Sequence, residues 1–223
     1  MILSTFSIVG REEDGSGFGV AVSTARPNVG SLVPFVSRRG AIATQARVNT
    51  DLGRRGLALL EADISVALAL KGLLEKDPER DIRQLHGLDR WNAFTFTGSS
   101  CIPWAGHLAG ADYTVAGNML TSPQVIEAMA EAFRSQPQLE LSERLLNALE
   151  AGQAAGGDKR GKQSAALLVA SREPRLYHNL RVDDHDEPVA ELRRIYQVVL
   201  EQSEQIRREY GEEGLRLFSR IKV

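Results

Sequence analysis

The chain has a single cysteine, Cys101, among 223 residues, so no internal disulfide can form. A reducing compartment is therefore expected, and the expected location is cytoplasmic. No apolar run approaches the ~20 residues that cross a bilayer as a helix. The sequence also lacks a basic start followed by an apolar segment and a small-residue cleavage site, so no signal peptide is read. Charge of one sign is not in excess either: 27 Lys and Arg stand against 29 Asp and Glu, for a net −2. Without a basic face, nucleic acid is not the expected partner, and no membrane partner is expected. No Ser-His-Asp triad stands out, and no His or Cys pair lies at metal-site spacing, so no cofactor is expected.

What is present is the composition of a folded domain, 43% apolar and 25% charged. The length supports one domain over residues 1–200, with 201–223 as a charged C-terminal helical extension or tail that docks elsewhere or frays. Ser4 to Val9 alternates polar and apolar as a strand does, and a polar stretch from Arg11 leads to a second strand over Gly17 to Thr24. Further strands are expected over Leu32–Val36, Gly40–Ala46, Arg83–Leu88, Trp91–Thr97, Tyr113–Leu120, Ser164–Ala170 and Arg175–Val182. Helices are expected over Gly53–Glu61, over Ile64–Lys76 with Asp63 as N-cap, from Ser122-Pro123 to about Arg134, over Leu141–Ala151, and from Pro188. Blocks of strands separated by helical pairs argue for α+β rather than a βαβ repeat.

Several motifs carry candidate chemistry. Gly156 to Ser164 nearly matches G-x-x-x-x-G-K-[ST], but Gln163 takes the hydroxyl position and the loop opens a strand instead of a helix. It reads either as a solvated turn or as a site wall for an anionic or amide group. Gly15 to Gly19 reads as a hairpin turn, since a strand follows where a dinucleotide fingerprint needs a helix. Asp183-Asp184-His185-Asp186 is the densest ligand-like cluster. Asp183 and His185 are metal candidates, with His107 as a third ligand; against this, Asp186 or Glu187 can cap the helix that Pro188 begins. Cys101 lies six residues before His107 but reads as a buried thiol, and Trp104, Tyr113 and Met119 read as core. Asn118, after Gly117, is a candidate oxyanion donor, or part of a turn. The hydroxyl of Thr5 at a strand start is a candidate nucleophile, because a terminal α-amine can serve such a residue as base.

These runs together resemble the bacterial and archaeal family called domain of unknown function 1028. The carriers are Thr5-Phe6-Ser7-Ile8-Val9, Gly19 to Ser23, Ala43-Thr44-Gln45-Ala46 with Asn49, and Gly56 to Leu60. Arg83-Gln84-Leu85, Phe96-Thr97-Gly98, Cys101 with Trp104 to His107, Gly117 to Leu120, Gly156 to Gly161 with Gln163 to Ala166, and Arg181 to His185 complete them. The family is grouped with the N-terminal-nucleophile hydrolases. The resemblance implies a four-layer α-β-β-α sandwich, two antiparallel sheets between helical layers, and hydrolysis of an amide bond. Some relatives carry an appended peptidoglycan-binding domain, which adds a cell-wall-derived fragment to the small molecules considered as substrate.

On this reading Thr5, Asn118 and Asp158 are the catalytic candidates. Ser23, Gln45, Asn49, Gly157, Lys159, Arg160 and Gln163 are the substrate-binding ones, with Lys159 or Arg160 available for a substrate carboxylate. The family often begins Met-Thr-Phe-Ser; here Ile2, Leu3 and Ser4 precede Thr5, and Ile2 is expected to block methionine removal. A non-catalytic ligand-binding or assembly protein on the same fold is the alternative, and a metal-dependent hydrolase using Asp183, His185 and His107 is the second. The helical exterior and the C-terminal segment offer surfaces for a homo-oligomer.

Overall fold

The computed structural model describes residues 2–3, 5–170 and 179–218. Its first strand, β1 (Ile2–Leu3), is followed by β2 (Thr5–Arg11), β3 (Phe18–Thr24), β4 (Pro34–Val36) and β5 (Gly40–Arg47). Two helices, α1 (Thr50–Glu61) and α2 (Val66–Lys76), lead to β6 (Arg83–Asp89), β7 (Ala93–Thr97), β8 (Gly106–Ala109) and β9 (Tyr113–Asn118). Then come α3 (Gln124–Arg134), α4 (Leu141–Ala154), β10 (Ser164–Ala170), β11 (Asn179–Val182) and α5 (Pro188–Phe218). One sheet has the order β1-β5-β6-β7 with β4 also on β5, the other the order β11-β10-β3-β2-β9-β8, and the pairings are antiparallel.

Side-chain alternation sorts each central strand between two apolar layers. Phe6 and Ile8 of β2, Ala21 of β3, Val115 of β9 and Leu167 of β10 pack under α3, α4 and α5. Ile42 of β5 and Leu85 of β6 pack under α1 and α2. The opposite faces, with Val9, Val20, Val22, Ala41, Ala43 and Leu168, meet between the sheets. The result is helices, sheet, sheet, helices, the expected α+β four-layer sandwich.

The local differences from the sequence reading have physical causes. Asp63 does not cap α2: it has φ 59 and pairs with Arg39, while Ser65 takes the cap. Asp89 accepts the Val66 amide at 2.7 Å and anchors that helix start. Val29–Ser31 forms a 3-10 turn, so the strand expected from Leu32 starts at Pro34. The short β8 was not expected, since half of its residues are exposed and its pattern is weak. Residues 175–178 of the strand expected from Arg175 lie outside the described residues. Of the segment expected as a helical extension or tail, residues 201–218 continue α5 as helix, kinked at Gly211 (φ 67), beyond which Leu215 is fully buried.

Candidate functional site

The layer between the sheets is not uniformly apolar. Towards β3, β4 and β10 it is filled by Val, Phe, Leu and Ala. Towards β6 to β9 the same inward positions carry Thr5, Ser7, Gln45, Gln84, His86, Thr114 and Asn118, each at most 1% exposed. Buried polar side chains are tolerated when they satisfy one another, and here they form a chain. Gln84 sits opposite Gln45 on the neighbouring strand, and its Nε2 donates to the carbonyls of Gly117 (2.9 Å) and Gly106 (3.0 Å) and to Thr97 Oγ1 (2.9 Å).

Those two carbonyls accept only, so they fix the Gln84 amide and every bond that follows. Gln84 Oε1 accepts from Gln45 Nε2 (2.7 Å) and from Asn118 Nδ2 (3.1 Å). Gln45 Oε1 then accepts from the Ser7 hydroxyl at 2.6 Å. Ser7 Oγ, having given its proton, accepts from His86 Nε2 at 2.8 Å, and His86 Nδ1 accepts from the Thr114 hydroxyl at 2.9 Å. The Ser7–His86 pair has the spacing of a nucleophile and its base but the wrong tautomer. Burial pushes His86 down to about 3, aided by the charge of His107 and opposed by the Thr114 backbone, so the ring stays neutral. His107 closes the outer edge through Thr97 Oγ1 at 2.8 Å, and burial lowers it too.

Thr5 stands at the open end of this chain. It is paired with Asn118 on one side and Thr24 on the other, and its Oγ1 is buried with no hydrogen-bond partner among the described residues. An orphaned hydroxyl of this kind costs about 1–3 kcal/mol. Ahead of it the chain changes sheets. Thr5 belongs to one, whereas Leu3 and Ile2 pair with Ala46 and Arg47 of the other, so the backbone crosses the mouth of the sandwich. Beneath lies a cavity of ≈ 90 Å³ lined by Ala46, Arg47, Ile82, Ser100, Cys101, Ile102 and Asn118. That is well below the ~300 Å³ at which ligand pockets begin.

The loop between α4 and β10 borders the same mouth. Leu120 bridges to Asp158, Lys159 N donates to Met119 O, and Thr121 N donates to Gly157 O. Gly157 adopts φ 54, and a Cβ there would lie 3.2 Å from the Phe6 ring. The Asp158 carboxylate is committed to the Ala25 and Arg160 amides (both 2.9 Å) and to the Arg160 guanidinium (3.0 Å). It thus clips the loop to the end of β3 and occupies Arg160. Lys159 Nζ reaches Pro103 O at 2.8 Å across the mouth.

The remaining candidates lie elsewhere. Ser23 points to the helical side and donates to Ser164 O at 3.2 Å, on the face opposite Thr5. Asn49 is the N-cap of α1, accepting from Asp51 N. Gln163 bonds Asp184 at the surface (3.0 Å). Asp183 is tied to Arg181, and His185 Nδ1 accepts from Glu187 N. They follow β11 at one edge of a six-strand sheet, while His107 is on β8 at the other, roughly 24 Å away at ~4.8 Å per strand. His107 therefore does not complete a site with them, and no metal-holding group of three His, Cys, Asp or Glu occurs among the described residues. Cys101 Sγ donates to Arg83 O at 3.3 Å, and burial pushes its thiol up, away from a reactive thiolate.

Sequence reasoning did not single out Ser7, Gln84, His86, Thr97 or Thr114 as a site. The signal was parity: Gln84 and His86 flank Leu85 as Ser7 flanks Phe6, which puts polar side chains on the inward face of two strands.

The comparisons agree with this fold. The family model described as "Family of unknown function (DUF1028)" matches residues 5–192. The crystal structure of protein SPO2555 from Silicibacter pomeroyi, assigned to the same family, superposes with a TM-score of 0.80 at 34% identity, covering 87% of this chain and 85% of that one. No curated protein matches the chain.

Proposed function

We propose, for a chain that belongs to the DUF1028 family, that the mouth between the sheets is an amide-hydrolase site of the N-terminal-nucleophile type, closed while residues precede Thr5. The observation that carries the reading is the buried, unpartnered Thr5 hydroxyl beside Asn118 at the end of an otherwise satisfied polar chain. A stabilised fold has no use for that orphan, whereas a nucleophile needs an oxygen not already committed.

Hydrolysis of the Ser4–Thr5 peptide bond would leave Thr5 with an α-amine. That amine takes the hydroxyl proton as Oγ1 attacks the amide carbonyl carbon of the substrate. Asn118, its amide oriented by Gln84, is placed to donate to the oxyanion. The protonated amine returns the proton to the leaving nitrogen, and water then hydrolyses the Thr5 ester to release the acid. Lys159 and Arg47 border the mouth as cations for a substrate carboxylate. The substrate class is a small amide or a cell-wall-derived fragment.

The test compares the full chain with one made as Met followed directly by Thr5, whose methionine is removable. Amine release from a panel of small amides is expected from the shortened chain and not from its Thr5→Ala variant; equal activity of that variant would overturn the mechanism. One observation favours a second reading, a ligand-binding protein without chemistry: the pairing of Ile2 and Leu3 with β5 keeps the mouth covered. A small amide that raises the melting temperature of the shortened chain without being turned over would select it.

A further inference from the structure

At the end of the sandwich away from Thr5, four chain segments converge on a groove of ≈ 570 Å³. Gly40, beside the groove, begins β5 and Ala46, at the mouth, lies six residues on, so the two are about 20 Å apart at ~3.4 Å per residue. The groove holds three guanidinium groups, Arg38, Arg39 and Arg90, and the most exposed large apolar side chain described, Trp91, at 77%.

The surroundings hold this pair in place. Asp89 builds the turn that carries Arg90 and Trp91 by accepting the amides of Trp91 (2.7 Å) and Asn92 (2.6 Å) on one oxygen and that of Val66 (2.7 Å) on the other. The Arg90 guanidinium lies 4.9 Å from the Trp91 ring, a cation–π stack that covers one face of the indole. Gly15 leaves the space the Arg90 stem fills, since a Cβ there would come within 2.7 Å of Arg90 Cγ. Arg39 is paired with Asp63 at 3.0 Å, whereas Arg38 has no partner among the described residues. Two carboxylates, Asp63 and Asp89, line the groove with the three guanidinium groups, which leaves the cations in excess, and Glu12, Glu13 and Asp14 do not line it.

We propose that this groove binds a small ligand joining a planar heteroaromatic ring to a phosphate, a mononucleotide in chemical class. The ring stacks on the indole face that Arg90 leaves open, and Arg38 and Arg90 take the phosphate through charge-assisted hydrogen bonds. The volume falls within the ~300–1,000 Å³ of small-molecule sites. The site is independent of the chemistry at Thr5.

The probes are AMP, adenosine, inorganic phosphate and a single-stranded oligonucleotide, titrated into the full chain at low salt. Trp91 is one of only two tryptophans, so intrinsic fluorescence reads the stack directly, and calorimetry reads binding without it. AMP is expected to quench saturably and to bind at least about tenfold more tightly than either of its halves, and Arg38→Gln or Arg90→Gln to weaken it about tenfold or more. Trp91→Leu, at a surface position, should remove the quench and lower the calorimetric affinity. No saturable AMP signal, equal binding of adenosine or phosphate, or unchanged affinity in both arginine variants would overturn the proposal. Tighter binding of the oligonucleotide than of AMP would overturn the assignment to a free nucleotide.

Discussion

Ser7 Oγ and His86 Nε2 meet at 2.8 Å between the sheets, and the proton on that bond belongs to the imidazole. The direction is imposed from a distance, by the Gly106 and Gly117 carbonyls acting through Gln84 and Gln45. A ring that donates to the hydroxyl cannot take its proton, so the pair is structural despite its resemblance to a catalytic dyad.

His86 should therefore make stability depend on pH with a definite sign. Its folded value is lowered to about 3 from an unfolded 6.5, so below 6.5 the unfolded chain binds the extra proton. The stabilisation is fully present above 6.5 and is lost as pH falls towards 3, at up to about 1.4 kcal/mol per pH unit. Denaturation midpoints from pH 7.5 to 4.5 should show this slope, and His86→Gln should flatten it after allowance for its own offset. An imidazolium signal from His86 by NMR at pH 6 would refute the assignment.

Thr5 separates chemistry from stability. Since Oγ1 has no partner, Thr5→Val keeps the shape and removes an orphan, so it should be neutral or stabilising by about 1 kcal/mol. Amide hydrolysis by the shortened chain should vanish in the same variant. Loss of more than about 1 kcal/mol in chemical denaturation would mean that the hydroxyl is satisfied in solution.

Much of this fold was legible in the strands, because Phe6, Ile8 and Val9 or Ile42 and Ala43 declare buried faces by type and alternation. The glycines from Gly156 to Gly161 marked a loop, which the sequence left open between a solvated turn and a site wall. The polar chain was not legible as a site. Gln84 and His86 look like surface residues of a half-exposed strand until a second sheet covers them, and which strands face each other is set by long-range packing. Asp158, a catalytic candidate from its place among glycines, has partners that no sequence pattern shows, the amides of Ala25 and Arg160. His107 and His185 are both imidazoles near acids in sequence, yet the sheet order sets them on opposite edges.

Cys101 lines the small cavity beside Asn118, which makes it a sensitive reporter rather than a nucleophile. With burial pushing its thiol up, alkylation by iodoacetamide at pH 7 should run slower than that of free cysteine. In the chain that begins at Thr5 the mouth is no longer crossed by Ile2 and Leu3, so labelling should accelerate. Cys101→Ala should leave amide hydrolysis by that chain intact; its abolition would reassign the nucleophile.

Gln84 is the keystone of the polar chain, and of two substitutions at it only the titratable one should vary with pH. Gln84→Leu strands two carbonyls and the amides of Gln45 and Asn118 at once, so a loss of about 3 kcal/mol or more is expected. Gln84→Glu keeps one oxygen to accept from Gln45 and Asn118 but turns the other towards the Gly106 and Gly117 carbonyls. Only a protonated carboxyl can donate there, so the folded state holds the proton and the pKa of the new group rises above its unfolded value. By the same linkage that governs His86, the sign now reverses: stability is greatest at acid pH and is lost as pH rises through the folded value. Urea midpoints at pH 5 and pH 8 should therefore place Gln84→Glu nearer the parent chain at pH 5. If the variant is instead closer at pH 8, Gln84 Nε2 does not face the two carbonyls, and the tautomer assigned to His86 falls with it.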